Sequence, residues 1–190
     1  MEHETAEAAD AGARGSSATF TGPRWCDVVE TPAGWIVLAG RGSVVSSASF
    51  PFPDRFGAVW AATADHPDAQ SGGPASVLLS AGCFYTDYFS SRPPTKVVSL
   101  DLSELTDFTR RVLIETSHIP WGAVRSYGEI AQQIGCPGGA RAVGQALGRN
   151  PVPILVPCHR VLASNRQIGG FTGGVCWKQR LLRIEGVELT

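Results

Sequence analysis

The stretch Asn150-Pro151-Val152-Pro153-Ile154-Leu155-Val156-Pro157-Cys158-His159-Arg160-Val161 is where residue types in this chain could do chemistry. A thiolate, not a thiol, is the nucleophile, and a neighbouring base or cation makes it accessible. Cys158 has His159 beside it and Arg160 next. Three prolines alternate with apolar residues ahead of it, which predicts a rigid extended segment. Rigid delivery matters because a reacting group must be held in a narrow geometry. Adjacent side chains need not face each other, so the dipeptide alone also fits a purely structural cysteine.

The elements that must position this segment read as follows. A helix with Leu105, Phe108, Val112, Leu113 and Thr116 at helical spacing ends before Ile119-Pro120. Ser126-Tyr127-Gly128-Glu129 fits a capping box, Ile130, Ala131 and Ile134 give the helix it opens an apolar side, and Gly135 suits its C-cap. The turn Cys136-Pro137-Gly138-Gly139 leads to a further helix over about 140–148, a helix-turn-helix arrangement. On that last helix Val143, Ala146 and Leu147 share one side, while Arg141, Gly144, Gln145 and Gly148 share the other. Glycine costs a helix about 1 kcal/mol against alanine. Two on one stripe fit either the close approach of another backbone, such as a DNA groove, or tight helix packing.

Upstream, Trp25 to Phe52 reads as β structure: a strand over 35–39, a turn at Gly40-Arg41-Gly42 and a strand over 43–50, ended by Pro51 and Pro53. Residues 65–75 read as a loop, 77–89 as a helix broken at Arg92-Pro93-Pro94, and 96–100 as a further strand. Residues 1–18, rich in Ala, Gly, Ser and Glu, read as a disordered tail. The domains expected are therefore 19–100, an α/β unit with a small sheet and helix, and 101–190, a mainly α unit carrying the helix-turn-helix and the cysteine.

Net charge is −1 over 190 residues, which by itself argues against a nucleic-acid partner. The total conceals an asymmetry. Residues 1–106 hold 6 Lys and Arg against 12 Asp and Glu, and residues 107–190 hold 10 against 5. The half with the chemical motifs is basic. A hydrophobic fraction of 43% supports a sizeable core, and no apolar run approaches the roughly 18 residues of a membrane span. Cys26, Cys83, Cys136, Cys158 and Cys176 form no C-x-x-C, and the acidic N-terminus has no apolar core of a signal peptide. Free thiols in a reducing compartment are expected.

Taken together, Asn150-Pro151-Val152-Pro153 followed by Pro157-Cys158-His159-Arg160 closely resembles the active-site signature of the O6-alkylguanine-DNA alkyltransferases (methylated-DNA–protein-cysteine methyltransferases). Arg125 to Ala131 resembles the family's first helix-turn-helix segment, and Ala140-Arg141-Ala142-Val143-Gly144 its recognition helix. Gly169 to Gly174 resembles its substrate-pocket loop, and 178–186 its closing helix. The strong resemblance spans about residues 105–186.

The resemblance implies repair of O6-alkylguanine in double-stranded DNA, with O4-alkylthymine as a further candidate substrate. The base is flipped out of the duplex and its alkyl group moves irreversibly to Cys158. It implies His159 as the base that draws the thiol proton through a water, Glu185 as the acid supporting it, and Asn150 as the joint between helix-turn-helix and active-site strand. It implies Tyr127 as a donor to the guanine ring nitrogen, and carbonyls of Cys158 and Val161 for the exocyclic amine. Pro153, Phe171, Thr172 and Gly173 would line the pocket. Arg141 would enter the base stack, with Ala140, Ser126, Gly144 and Gln145 on DNA. Glu185 also stands out by itself, because a carboxylate in the last turn of a helix meets the unfavourable dipole end and calls for another partner.

The pocket loop departs from the family's usual Tyr-Ser, reading Phe171-Thr172. Cys26 and Cys83 lack histidine partners, so no metal is expected, nor a cofactor. A monomer with no obligate protein partner is expected, cytoplasmic or, in a eukaryote, nuclear, with no fused regulatory domain. Three rival readings weigh less. A non-catalytic alkyltransferase-like protein would lack the cysteine, a transcription factor would not need the proline-rich segment, and a cysteine hydrolase would not need a recognition helix.

Overall fold

A computed structural model describes residues 22–164 and 167–188; the expected tail at 1–18 lies outside them. The chain divides into two compact units, Met1–Glu104 and Leu105–Thr190.

In the first unit, β1 (Arg24–Thr31), β2 (Gly34–Arg41) and β3 (Val44–Ala48) form an antiparallel meander, and β4 (Gln70–Ser71) adds a parallel edge beside β1. Two helices, α1 (Arg55–Asp65) and α2 (Ala75–Phe89), pack on β1, and α1 also on β2. β2 runs through Gly40 and Arg41, so the turn starts at Gly42, two residues later than the sequence predicts. Residues 96–100 do not form a regular strand. They lie extended beside β3 through one bridge, Val45 to Leu100, with Val45 N–H donating to the Ser99 carbonyl at 2.9 Å. Helix α1 is not predicted by the sequence pattern. Its buried face is only Ala58 and Ala62, while Phe56 and Trp60 are exposed, so the apolar period is inverted. Its start signal is clear in the structure: Asp54 accepts the Gly57 N–H at 2.8 Å.

The second unit is mainly helical. Helix α3 (Asp107–Ser117) starts at an N-cap threonine, Thr106, and buries Thr109, Val112, Leu113 and Thr116. Both halves of the expected capping box are present at α4 (Tyr127–Gln133). Ser126 Oγ accepts the Glu129 N–H at 3.1 Å and Glu129 accepts the Ser126 N–H at 2.6 Å. Gly135 follows with φ +71°, the left-handed conformation of a helix C-terminus. Helix α5 (Ala140–Leu147) buries Val143, Ala146 and Leu147 against α3 and α4. A single 3₁₀ turn, Cys158–Arg160, leads into β6 (Val161–Leu162), which pairs in parallel with β5 (Arg125–Ser126). Helix α6 (Val175–Ile184) closes the unit with Lys178, Leu181 and Leu182 buried.

The segment before Cys158 is rigid but not extended. Ile154 takes φ +73°, a left-handed conformation unusual for a β-branched residue, and the chain folds back so that Pro153 bridges Val156. Alternating prolines fix φ without fixing direction, and the reversal is made at Ile154, between the second and third of them.

Candidate active site

The reversal at Ile154 is held by Asn150. Its Oδ1 accepts the Val152 N–H at 3.1 Å, and its Nδ2 donates to the Val156 carbonyl at 3.0 Å and to Cys158 Sγ at 3.2 Å. One amide therefore ties the end of the helix-turn-helix, the folded-back segment and the thiol. Burial pushes the Cys158 thiol above its ordinary pKa. The Asn150 amide, the charge of Lys178 and the backbone N–H groups of Cys158 and His159 act in the opposite sense. The resting group is thus a thiol whose anion has donors waiting for it.

His159 is fully buried, and its Nε2 lies 2.6 Å from Glu185 Oε1. Burial holds its pKa below the ordinary histidine value, although the Glu185 hydrogen bond and charge pull the other way. A neutral imidazole whose Nε2–H donates to a carboxylate carries its lone pair on Nδ1. Glu185 follows the last turn of α6 and is 5% exposed, so it is not a solvated terminal carboxylate. Burial alone would raise its pKa, but hydrogen bonds from His159 and Arg160 hold it well below the usual carboxylate range.

Lys178 is a site residue that the sequence reading passes over. Its Nζ is buried, donates to the Val161 carbonyl at 2.6 Å, and lies 5.7 Å from the Tyr127 ring centroid and 5.8 Å from that of Phe171. Burial lowers its pKa to about 8, against the pull of the Cys158 sulfur. A detectable signal exists: Lys178 sits three and four residues before Leu181 and Leu182, on the apolar side of α6. Its bond also means that one lone pair of the Val161 carbonyl is already engaged.

The β5–β6 pairing sets Arg125 against Val161 and Ser126 against Leu162, which brings Tyr127 to the reactive turn. Burial and the Cys158 charge raise the Tyr127 pKa, so the phenol stays a donor. Gly169 lies against it: a Cβ there would sit 3.0 Å from Tyr127 Oη. Phe171 is half-buried under Lys178, while the Thr172 hydroxyl is exposed and donates to the Gly148 carbonyl at 3.0 Å, joining the loop to the end of α5. Gly173 precedes Gly174, whose φ of +87° opens α6. Pro153 stays within the folded-back turn.

On α5, Arg141 and Gln145 are exposed and Ala140 is half-buried at its N-terminus. Gly144 faces the Tyr127 ring, but a Cβ would be 3.7 Å away, an ordinary contact. Packing inside the protein therefore does not demand glycine there. The Ser126 hydroxyl serves the capping box. Arg125, Arg149, Arg180 and Arg183 are exposed elsewhere in the unit. Among the described residues no cluster of His, Cys, Asp and Glu could hold a metal ion, and no helix is long and apolar enough to cross a membrane.

Residues 107–187 match the family described as 6-O-methylguanine DNA methyltransferase, DNA binding domain. The methylated-DNA–protein-cysteine methyltransferase of Mycobacterium leprae is 39% identical over 164 residues, covering 84% of this chain and 91% of the relative. This chain belongs to the methylated-DNA–protein-cysteine methyltransferase family. The relative from Mycolicibacterium paratuberculosis is 41% identical over 161 residues, with 83% and 89% covered. The crystal structure of Mycobacterium tuberculosis OGT in complex with DNA superposes with a TM-score of 0.70 at 36% identity, covering 84% of this chain and 91% of that one. The O6-methylguanine-DNA methyltransferase of Pyrococcus kodakaraensis KOD1 superposes at 0.64 and 27% identity, with 85% and 99% covered. The alkyltransferase match thus extends over both units, although the sequence resemblance is strong only in the second.

Proposed function

We propose that this protein repairs O6-alkylguanine in double-stranded DNA by transferring the alkyl group to its own Cys158. The observation that carries the reading is the buried thiol bonded to Asn150, beside a Glu185-supported His159, in a chain of this family. The exposed face of α5, with Arg141 and Gln145, docks on the duplex, and Arg141 fills the stack when the damaged base leaves it. Extrusion is needed because chemistry on a base cannot proceed inside the stack, and it costs a few kcal/mol. Contacts are mainly to phosphate and shape, since flanking sequence varies.

His159 takes the thiol proton at Nδ1. The thiolate, met by the Asn150 amide and the Lys178 charge, attacks the alkyl carbon. The S–C bond forms as the C–O6 bond breaks, and its electron pair passes into the guanine. Tyr127 donates to the ring nitrogen where that charge develops. The guanine anion that leaves takes up one proton, the equivalent of the one lost by the thiol, and guanine is restored. The thioether has no leaving group the site can expel, so each molecule acts once. A thiol reagent of this kind requires a reducing compartment, the cytoplasm or a nucleus, and the site is complete in one chain.

Incubation with duplex DNA carrying radiolabelled O6-methylguanine tests this. One methyl per protein on Cys158 is expected, and none for Cys158→Ala. Repeated turnover, or label on another residue, overturns the reading. Arg141→Ala should slow transfer from duplex DNA more than from free O6-benzylguanine; equal losses exclude its role in extrusion.

A further inference from the structure

Arg160 is buried beside His159, and the reaction just described does not use it. Its Nε donates to Glu185 Oε2 at 2.8 Å, its Nη2 to Oε1 at 3.1 Å, and its Nη1 to the Ile119 carbonyl at 2.5 Å. The guanidinium is therefore fixed at three points, two of them on the carboxylate that holds the histidine. Gly122 N–H adds a longer bond to Oε2 at 3.4 Å.

The consequence is electrostatic. A buried carboxylate whose main partner is an imidazole draws a proton onto it, because an ion pair costs less than an unpaired buried charge. An imidazolium cannot accept the thiol proton. Arginine cannot lose its proton and binds a carboxylate through two parallel bonds. It supplies the permanent counter-charge that lets Glu185 stay ionised while His159 stays neutral. The charged groups acting on the imidazole are Lys178 from α6, Glu185 just after it, and Arg160 from its own turn. Helix α3, packed on the same turn, buries Thr109, Val112, Leu113 and Thr116, none of them charged. Arg160 is thus the one permanent cation that touches Glu185 itself among these groups.

We propose that Arg160 is a positioning residue for alkyl transfer: through Glu185 it keeps His159 neutral, with Nε2 protonated and Nδ1 as proton acceptor. This rests on the reading of His159 as the base.

The test is the pH profile of single-turnover transfer from duplex O6-methylguanine, with full-length protein. For Arg160→Gln the acid limb should move up by about one pH unit or more, and the rate well above that limb should recover to within several-fold of wild type. Arg160→Lys keeps a cation but not the paired bonds. It should leave the limb near its wild-type position at a lower plateau. A uniform loss at every pH in Arg160→Gln, with no movement of the limb, overturns the proposal as a structural effect. His159→Gln separates the two readings. If it removes the acid limb while Arg160→Gln fails to move it, only the Arg160 role falls. If it changes neither rate nor limb, His159 is not the base. Should Arg160→Gln not fold, ¹⁵N shifts of the wild-type His159 ring decide. A neutral ring protonated on Nε2 near pH 7 supports the proposal, and an imidazolium overturns it.

Discussion

The molecule contains two buried cysteines of equal exposure, 7% each, in opposite surroundings. Cys26 lies in β1 of the first unit among Val37, Ala39, Ala58 and Ala62. Burial and then the charges of Asp27 and Asp65 push its thiol up to about 11. Cys158 lies deeper, so burial pushes its thiol up as well, but an amide, a lysine and two backbone N–H groups converge on it. Burial alone makes a cysteine inert. What distinguishes the reactive one is that the protein supplies the donors its anion would otherwise draw from water. The units differ in the same way. The first has one buried hydroxyl, on Tyr85, with no hydrogen-bond partner among the described residues, whereas the second ties His159 and Arg160 to Glu185 and Lys178 to the Val161 carbonyl.

The comparison breaks most sharply at Lys178. Lys178→Met removes the cation beside Cys158 and keeps the volume. Transfer should fall about tenfold or more, since one pKa unit of thiolate stabilisation is tenfold. The thermal midpoint should hold or rise, because an apolar group replaces a buried charge. Transfer at the wild-type rate would show that the lysine does not separate Cys158 from Cys26. Gly169→Ala should have a smaller effect. Its methyl meets Tyr127 Oη at 3.0 Å and displaces the phenol by a few tenths of an ångström. Transfer should drop roughly several-fold, because misplaced groups lose rate steeply. Labelling of Cys158 by iodoacetamide should not change; a parallel loss of labelling would mean that the thiol itself has moved. The smallest effect is in the first unit. Tyr85→Phe removes the hydroxyl without a partner and should raise stability by about 1 kcal/mol in denaturant unfolding, with transfer unchanged. Destabilisation would reveal a partner for that hydroxyl.

Much of the second unit is legible in the sequence because its signals are local. The Ser126–Glu129 capping box, the Gly135 stop and the Val143, Ala146, Leu147 stripe each depend on residues within one or two turns. Cys158, His159 and Glu185 were reachable through the family signature, and the structure brings them together. What escaped depends on contacts distant in the chain. The reversal at Ile154 is held by an amide four residues earlier and is invisible in an apolar–proline alternation. Lys178 looks like any helical lysine until Val161 is placed beside it, seventeen residues away. Helix α1 is hidden for a different reason: alanines bury and aromatics face out, so periodicity points the wrong way. Arg160 stands within the signature, yet its partner lies twenty-five residues on.

The bond from the Thr172 hydroxyl to the Gly148 carbonyl links two parts of the site with separate tasks. Phe171 would belong to the wall around the base, and Gly148 follows the helix whose exposed side would lie on the duplex. The loop that carries Phe171 is therefore tied to the end of that helix by the Thr172 hydroxyl, in addition to its contacts with Lys178 and Tyr127. A helix end that shifts on contact would pull on this loop, and the aperture proposed for the base would follow how the helix is seated. A valine at 172 would keep the shape of the loop and cut the leash.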